Sequence, residues 1–474
     1  MLMKILIILV NLSISQFCWG RDFHVDPDTG HDGHDGIVAP VRTIARGLQL
    51  AGPGDTVHLQ PKVYRDFVGF SNRHGEPERP IILDGHGATL EGSKPIDPDT
   101  WKEVAPGRFC NGQLIPHLDA GRIQRWFFIW NGKMNHMGRT SKGIRTPFKS
   151  PEELQPGEWT FVEETFPGSA DPSKRKYGGS FYIQLDPGQS LAEANVTYPA
   201  RINGVQLGGT NSHLVIRNIT STHFGNDGFN IHGDCHNVLF ENICAIECGD
   251  DGISAHGTAK YRVEGLVSIG NSTGICDTVL SQTHYNSVYI RDCLAYDLFF
   301  LDQGNYAVRN AVIHSSSQNP ISVNGRSEEN LPCRLELENI LFLRKTPGKN
   351  AYVGKNTILT ASRCTFLNLG ILVNGGAASW KNSVITGTPG PVITVRQNGV
   401  WSGERNHYDL DQIKFENEAI TMTNFKTFQD RTGQESGSQW RQFISLENNA
   451  LSLPSGPGVD QTRLPKSRPD STLP

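Results

Sequence analysis

The stretches NDGFNIHG (Asn226–Gly233) and DDGISAHG (Asp250–Gly257) match position by position, so that Asp227 corresponds to Asp251 and His232 to His256. A third copy, NGVQLGG (Asn203–Gly209), lies upstream at the same spacing. The period of about 24 residues falls within the roughly 20 to 50 residues that are typical of solenoids, in which each repeat forms one turn. The spacing therefore predicts a coiled fold in which these three stretches occupy equivalent positions.

This register predicts which side chains meet. Parallel strands lie about 4.8 Å apart, so Asp227 is expected beside Asp251, and His232 beside His256. The repeat thus predicts a stack of carboxylates and a stack of imidazoles on successive turns.

The repeated strands alternate between apolar and polar residues, a pattern typical of β-structure. Phe229 and Ile231 are expected to face inward, and Asn230 and His232 to face outward and be exposed. The next turn is expected to follow the same alternation, with inward Ile253 and Ala255 and exposed Ser254 and His256.

A second column of residues supports the periodicity. Short apolar strands such as 214–216 and 238–240 are each followed by a residue suited to a tight corner: Asn218, Asn242, Gly265, Asp292, Asn310, Asn339 and Asn382. Asn, Asp and Gly tolerate the left-handed backbone conformation that sharp turns need. Because one turn buries little surface alone, many stacked turns are needed for a continuous core. The predicted fold class is all-β, a right-handed parallel β-helix solenoid with an N-terminal cap and a β-rich insertion.

Changes in the repeat spacing along the chain predict its division into segments. We expect a signal peptide over 1–20, an N-terminal cap and first coils over 21–100 with a capping helix over 43–50, and a β-rich insertion over 101–200. The parallel β-helix coils with the candidate active site follow over 201–400, then C-terminal coils or a cap over 401–452 and a disordered Pro/Ser-rich tail over 453–474. The aromatic residues of the insertion are expected to form a small core of their own.

The N-terminus predicts export. Lys4, an apolar run over 5–14 and Gly20 are typical of a cleaved secretory signal peptide, with lipidation of Cys18 as the alternative. The run is too short for a membrane span. We expect a secreted or periplasmic protein that is monomeric.

Charge and cysteine content narrow the function classes. The net charge is −4 and the sequence has no long basic run, which argues against nucleic acid as a partner. Of nine cysteines, only Cys18 lies in the signal segment. The others permit disulfides without requiring them, and their spacing matches no metal site.

The stacked carboxylates need compensation. With an effective dielectric near 20, two charges about 5 Å apart repel by roughly 3 kcal/mol. A shared proton would convert one carboxyl into a general acid, a bound calcium ion would use carboxylate oxygens as ligands, and nearby Lys or Arg could neutralise the group. Arg217, Arg291 and Arg309 precede the corner residues on another face, where Arg217 is expected to pair with Glu241. The sequence therefore favours the first two remedies.

A purely structural role is the alternative, because Asp-Gly is a common turn dipeptide whose carboxylate can accept local backbone N–H groups. The doubled Asp250-Asp251 beside Asp227, with His232 and His256 in register, favours a functional site. His223, which lies outside this register, is interpreted as structural.

The acidic residues and the N-terminal segment resemble known families. Residues 23–27, 40–44, 51–59 and 63–64 resemble the first coil and cap of secreted pectin-lyase-like proteins. Asp227-Gly228 followed by Asp250-Asp251 resembles the catalytic aspartates of inverting β-helix glycoside hydrolases, namely polygalacturonases and, through DDGISAHG, family 110 α-galactosidases. The resemblance implies that Asp227, Asp250 and Asp251 are catalytic: one acid protonates the leaving oxygen and the others activate water, without a cofactor. Polygalacturonases carry Gly-His-Gly where this chain has residues 272–274 (Ser-Thr-Gly), which argues against uronate specificity.

The same residues also resemble the calcium cluster of family 9 pectate lyases. That resemblance implies calcium bound by Asp227, Asp250 and Asp251, and elimination from a uronate-containing polymer. The family has a further Asp where Ser254 stands and needs a basic residue as proton acceptor. Since no lysine is convincingly placed in the sequence, His232 or His256 would have to serve.

A third hypothesis is a noncatalytic β-helix that binds a glycan, since fold alone does not imply activity. Hydrolysis of a polysaccharide or glycoconjugate is ranked above elimination. In each case the residues expected to contact the substrate are Asn230, His232, Ser254 and His256.

Overall fold

In the computed structural model the chain forms a parallel β-solenoid of about 14 turns. The structure describes residues 20–115, 118–143, 146–164, 176–326, 331–387, 389–441 and 457–465. The predicted signal peptide lies outside these ranges except for Gly20. No helix of the described ranges is long and apolar enough to cross a membrane. The predicted fold class, an all-β parallel solenoid, is confirmed.

The chain begins with five strands that form the first coils. They are β1 (Asp22–Val25), β2 (Thr56–Leu59), β3 (Val63–Tyr64), β4 (Val68–Ser71) and β5 (Ile81–Glu91). Helix α1 (Ile44–Leu50) lies between β1 and β2, as the sequence predicts, and Thr43 caps it by accepting the Arg46 N–H at 3.2 Å. Its Ile44 and Leu48 side chains join the solenoid core. The role of this helix as a cap stays a prediction.

Antiparallel sheets interrupt the coils after β5. Their strands are β6 (Ser93–Pro95), β7 (Lys102–Ala105), β8 (Arg108–Asn111), β9 (Leu118–Asp119), β10 (Phe128–Trp130), β11 (Lys133–Asn135), β12 (Trp159–Glu164), β13 (Lys176–Gln184) and β14 (Val196–Pro199), with helix α2 (Ala120–Gln124). Trp126, Phe128, Trp159 and Phe181 pack in a hydrophobic cluster separate from the solenoid core. Their ring centroids lie 4.8 to 6.3 Å apart. The predicted separate core is confirmed.

The regular coils resume after β14 and continue to the end of the solenoid. Their strands are β15 (Val205–Gly208), β16 (Thr210–Thr222), β17 (Phe229–Ile231), β18 (Asp234–Ile246), β19 (Asp251–Ala255), β20 (Lys260–Ile269), β21 (Thr273–Asp277), β22 (Gln282–Arg291), β23 (Tyr296–Leu301), β24 (Asn305–Ser315), β25 (Asn319–Asn324), β26 (Cys333–Arg344), β27 (Ala351–Val353), β28 (Thr357–Ser362), β29 (Thr365–Leu367), β30 (Ile371–Asn374), β31 (Ala377–Lys381), β32 (Val384–Thr386), β33 (Val392–Arg396), β34 (Val400–Glu404), β35 (His407–Tyr408), β36 (Gln412–Lys414), β37 (Ala419–Ile420) and β38 (Gln439–Trp440). Helix α3 (Phe425–Thr432) precedes β38.

Two long sheets run along the solenoid, one of 17 strands and one of 12. The candidate site belongs to the 12-stranded sheet, in which β17 pairs with β15 and β19 in parallel. The register aligns Phe229 with Ile253, which confirms the spacing that the repeated stretches predict. Phe229, Ile231, Ile253 and Ala255 are all fully buried in the core, as predicted.

The corner residues adopt the predicted conformation. All seven have positive φ angles between 48° and 92°: Asn218, Asn242, Gly265, Asp292, Asn310, Asn339 and Asn382. The amide of Asn242 donates to Asn218 Oδ1 at 3.3 Å, so neighbouring corners are linked. Arg217 lies in register with Glu241 and pairs with it at 3.8 Å, as predicted, and it also contacts Asp84 at 2.7 Å.

Two features of the chain differ from expectation or refine it. The predicted disorder over 453–474 is wrong for 457–465, because Asp460 N–H donates to Asn339 Oδ1 and Val459 N–H to Thr365 Oγ1 at 3.2 Å. These bonds attach the segment to the outside of the coils. No disulfide joins the cysteines of the described residues, which are Cys110, Cys235, Cys244, Cys248, Cys276, Cys293, Cys333 and Cys364.

Candidate active site

Three carboxylates converge at the start of strands β17 and β19. One oxygen each from Asp227, Asp250 and Asp251 lie within 4.8 Å of one another. The Asp251 backbone N–H donates to Asp227 Oδ1 at 3.1 Å, because the parallel register places these residues on adjacent turns. The cluster that the repeat predicts is therefore present, and the catalytic roles of its members stay a prediction.

Asp227 is held by two side chains of the same sheet. Asn230 Nδ2 donates to Asp227 Oδ2 at 2.5 Å, and Ser254 Oγ donates to the same oxygen at 2.7 Å. Asn230 and Ser254 are 3% and 0% exposed, so the expectation that they are exposed is wrong. They alternate with core residues as predicted, but they are covered because their polar groups turn toward the buried carboxylate.

The insertion supplies cations that the sequence did not indicate. Lys142 Nζ donates to Asp250 Oδ1 at 2.7 Å and also to Asp251 Oδ1. Ser141 Oγ donates to Asp250 Oδ1 at 2.6 Å, and Arg125 Nη1 lies 4.0 Å from Asp250 Oδ2. The expectations that no lysine is placed for the site and that neutralisation by Lys or Arg is disfavoured are wrong. The solenoid register carries no information about a segment that folds outside it.

Burial and charge move the pKa values of the cluster apart. Burial, and then the neighbouring charge of Asp250, raise the pKa of Asp251 well above its ordinary value, and the same causes raise the pKa of Asp227. Burial also disfavours ionised Asp250, but Lys142 and Arg125 outweigh it, so the pKa of Asp250 is lowered. Lys142 is desolvated yet has a raised pKa because Asp250 and Asp251 surround it. The site thus combines an ionised carboxylate with carboxyls that hold protons readily.

The two predicted histidines stack beside this cluster. The rings of His232 and His256 are nearly parallel, with centroids 4.3 Å apart, which confirms the predicted register. His232 is exposed and His256 is half-buried. Burial and the neighbouring His232 lower the pKa of His256 to about 4, and Thr278 Oγ1 lies 3.0 Å from its Nδ1. Although the His232 side chain is exposed, partial desolvation by its neighbours lowers its pKa as well, so both rings favour the neutral form at pH 7.

His223 belongs to a separate, structural contact. Its Nδ1 lies 3.1 Å from Glu91 Oε2 and its Nε2 lies 3.3 Å from Glu247 Oε2. Burial opposes the charge of His223, but these two glutamates raise its pKa to about 9. The ring therefore bridges two carboxylates of neighbouring turns.

Little in the sequence predicts that Lys142, Ser141 and Arg125 lie beside the acidic cluster. All three residues belong to the insertion. Lys142 and Ser141 precede Asp250 by more than a hundred residues. The sequence indicates them only through an energetic argument, because three buried carboxylates require a nearby cation or a shared proton.

Comparison with known proteins gives matches among solved structures alone. No protein-family model matches the chain, and no curated protein matches it. Among solved structures it is similar to that described as "The complex structure of XylC with xylose", with 11% identity, a TM-score of 0.46, and coverage of 90% of this chain and 87% of that chain. It is also similar to pectate lyase Pel9A, with 12% identity, a TM-score of 0.43 and coverage of 92% of each chain. The fold rests on the register of the chain's own strands, which is that of an all-β parallel solenoid.

Proposed function

We propose that the protein is a glycoside hydrolase that acts on a polysaccharide or glycoconjugate through Asp227, Asp250 and Asp251. One observation carries the proposal: oxygens of Asp227, Asp250 and Asp251 lie within 4.8 Å of one another, and Lys142 donates to Asp250 at 2.7 Å. In this arrangement the pKa of Asp251 is displaced upward by burial and by the charge of Asp250, whereas Lys142 displaces the pKa of Asp250 downward. Such a pair can supply a general acid and a general base at the same pH. This is the chemistry that cleavage of a glycosidic bond by water requires.

In the proposed reaction, Asp251 acts as the acid. Its proton passes to the leaving glycosidic oxygen as the bond between that oxygen and the anomeric carbon breaks. Asp250, kept ionised by Lys142, accepts a proton from the water whose oxygen attacks the anomeric carbon. Asp227 holds the Asp251 backbone N–H and so positions the acid.

Substrate must first gain access to these carboxyls. Asp227, Asp250 and Asp251 are 2%, 9% and 3% exposed, which is too little for a sugar ring to contact them directly. The covering contacts include Ser141 and Lys142 of the insertion. We infer that this part of the insertion moves when a glycan binds, and that the stacked His232 and His256 then line the opened groove.

The stereochemical course depends on the separation of the acid and the base. The nearest oxygens of the cluster lie within 4.8 Å, below the roughly 6.5–9.5 Å of an inverting pair. Inversion therefore requires the side chains to separate and admit water when substrate binds. Proton NMR of the first-formed anomer tests this point.

Calcium-dependent elimination from a uronate polymer is the second candidate. Its supporting observation is that three carboxylate oxygens converge on one point beside a cation, the ammonium group of Lys142. Calcium favours such oxygen ligands. Elimination would require Lys142 to leave and another group to accept the proton, since the raised pKa of Lys142 keeps it protonated.

The deciding experiment incubates the purified protein with a panel of glycans, with and without EDTA. New reducing ends that are indifferent to EDTA support hydrolysis, whereas unsaturated products that EDTA abolishes support elimination. Asp251→Asn should lower turnover by about 10²–10⁴-fold. Asp234→Asn, at an exposed acid of the neighbouring turn that contains Asp227, is the matched control. Native folding with unchanged turnover in Asp251→Asn would overturn the proposal.

We also propose that the enzyme is exported. The support is the sequence of residues 1–20, with its basic start and apolar run. N-terminal sequencing of the protein from its native host should find a mature chain that begins near Arg21. A chain that retains residues 1–20 in the cytoplasm would contradict export.

A further inference from the structure

A second cluster of ionisable side chains lies on the outer face of the first coils, away from the acidic site. His24, His58 and Asp84 occupy one register column on strands β1, β2 and β5. The rings of His24 and His58 stack with centroids 5.5 Å apart, and those of His58 and His86 at 5.1 Å. Because adjacent parallel strands carry these residues, their spacing is set by the backbone ladder.

His86 is brought into the cluster by a turn. It follows Asp84 by two residues with φ of 51°, and its backbone N–H donates to Asp84 Oδ1 at 3.0 Å. Its Nδ1 lies 3.7 Å from the same oxygen. One atom each of His58, Asp84 and His86 lie within 4.8 Å of one another.

The hydrogen bonds orient the lone pair of His58. Its Nε2 lies 2.9 Å from Asp22 Oδ1, and its Nδ1 lies 2.8 Å from His86 Nε2. An ionised carboxylate only accepts hydrogen bonds, so in the neutral His58 ring the proton sits on Nε2. The Nδ1 lone pair then points at His86. A carboxylate on the far nitrogen of an imidazole is the usual outer partner of a metal-binding histidine.

We propose that His58 Nδ1 and His86 Nε2 bind a divalent transition-metal ion such as Zn²⁺, with Asp22 as the outer partner of His58. A tetrahedral ion with bonds of about 2.0–2.1 Å places its two nitrogen ligands roughly 3.3 Å apart. From 2.8 Å, this needs an opening of roughly half an ångström, which small side-chain rotations provide. Water fills the remaining positions.

Asp84 contributes negative charge to this site rather than a bond to the metal ion. Arg217 Nε donates to its Oδ2 at 2.7 Å, and Asn218 Nδ2 donates to its Oδ1 at 2.9 Å. These bonds hold the buried carboxylate in place beside the two imidazoles. The negative charges of Asp84 and Asp22 flank the bound cation and offset the nearby Arg217 guanidinium.

The donor atoms separate this site from the acidic cluster. Imidazole nitrogens favour Zn²⁺, Cu²⁺ and Ni²⁺, whereas a carboxylate cluster favours Ca²⁺. A zinc ion at His58 and His86 would tie strand β2 to the bend within β5. Because the unfolded chain lacks this arrangement, binding should stabilise the folded N-terminal coils.

The test is calorimetric titration of the purified protein with zinc chloride, in the presence of excess calcium. The wild type should bind one Zn²⁺ ion at this site, and His86→Ala should abolish that binding. Asp22→Ala keeps both nitrogen ligands and should weaken affinity by about 10- to 100-fold. His236→Ala is the control, since this exposed histidine is part of another ring pair with His213. Circular dichroism verifies that each variant is folded.

Two results would overturn the site. One is wild-type protein that takes up no zinc with an affinity above that of His86→Ala. The other is Asp22→Ala binding zinc as tightly as the wild type, which would remove the support for an oriented His58. Loss of zinc binding in His236→Ala would also contradict the assignment, because the ion would then sit elsewhere.

Discussion

Lys142 Nζ donates a hydrogen bond to Asp250 Oδ1 at 2.7 Å, between residues 108 positions apart in the chain. The contact ties the antiparallel insertion to the parallel coils at the point where the carboxylates converge. It also accounts for the ionised state of Asp250, whose burial alone would favour the neutral acid.

Removing the Lys142 ammonium should destabilise the protein. In Lys142→Met the side chain keeps its length, but buried Asp250 loses its cation, and the free energy of unfolding should fall by about 3 kcal/mol. Urea denaturation at pH 7 measures the change. Lys149→Met is the matched control, because Lys149 belongs to the same insertion and pairs with Glu158 at a more exposed position. Its loss should be below about 1 kcal/mol. Equal losses in both variants would contradict a special role for Lys142.

The same variant should expose the affinity of the cluster for calcium. The ammonium group competes with a metal ion for Asp250 and Asp251. Calcium should therefore raise the melting temperature of Lys142→Met more than that of the wild type, because an ion that binds only the folded state stabilises it. Differential scanning fluorimetry across a calcium series measures the shift. Additional replacement of Asp227 by Asn should remove it. An equal calcium response in wild type and Lys142→Met would show that Lys142 does not occupy the cation position.

Ser254→Ala should move the pH dependence of turnover. Ser254 Oγ donates to Asp227 Oδ2 and favours its ionised form. Without this bond the pKa of Asp227 rises further, because the hydroxyl no longer favours the ionised carboxylate. In the proposed reaction Asp227 holds the Asp251 backbone N–H as a carboxylate, so protonation of Asp227 weakens the positioning of the acid. The acidic limb of the rate profile should therefore move to higher pH. Ser322→Ala, in the same register column three strands away, should leave the profile in place. An unshifted limb in Ser254→Ala would exclude Asp227 from the titrating set.

A different carboxyl should govern the pH dependence of stability. Asp277 lies inside the solenoid, where Thr283 Oγ1 donates to it at 2.6 Å and Tyr285 Oη at 2.9 Å. Burial raises its pKa from 3.8 to about 7. Because the pKa of Asp277 is higher in the folded protein than in the unfolded chain, protonated Asp277 stabilises the fold fully at pH values below its unfolded-state pKa. This stabilisation is lost as the pH rises through 7. Asp277→Asn should remove that loss.

The measurement compares urea unfolding of wild type and Asp277→Asn from pH 4 to pH 9. Relative to wild type, the variant should gain about 4 kcal/mol across this range, the equivalent of about three pKa units. Asp55→Asn is a control of opposite sign. Although burial disfavours charge there too, Arg21 and backbone N–H groups lower the pKa of Asp55, so its stabilisation is lost as the pH falls. A constant difference between Asp277→Asn and wild type would contradict a neutral Asp277 in the folded state.

The coil register follows from the repeated stretches alone. Because strands of a parallel sheet stack at a constant spacing, the constant offset between the repeated stretches was enough to place Asp227 beside Asp251 and His232 beside His256. The corner residues were equally readable, since Asn and Asp tolerate the positive φ that the turns require. Both inferences concern residues at equivalent positions on neighbouring turns of a regular repeat.

The groups that cover the acids come from a distant part of the chain. Lys142, Ser141 and Arg125 reach Asp250 from an insertion that has its own core and its own sheets, so no period in the sequence relates them to it. Asn230 and Ser254 are buried because both donate to the covered Asp227 carboxylate, a contact that the alternation along their strands does not show. Alternation along a strand tells which side a residue faces, whereas a distant segment determines whether that side is open to solvent.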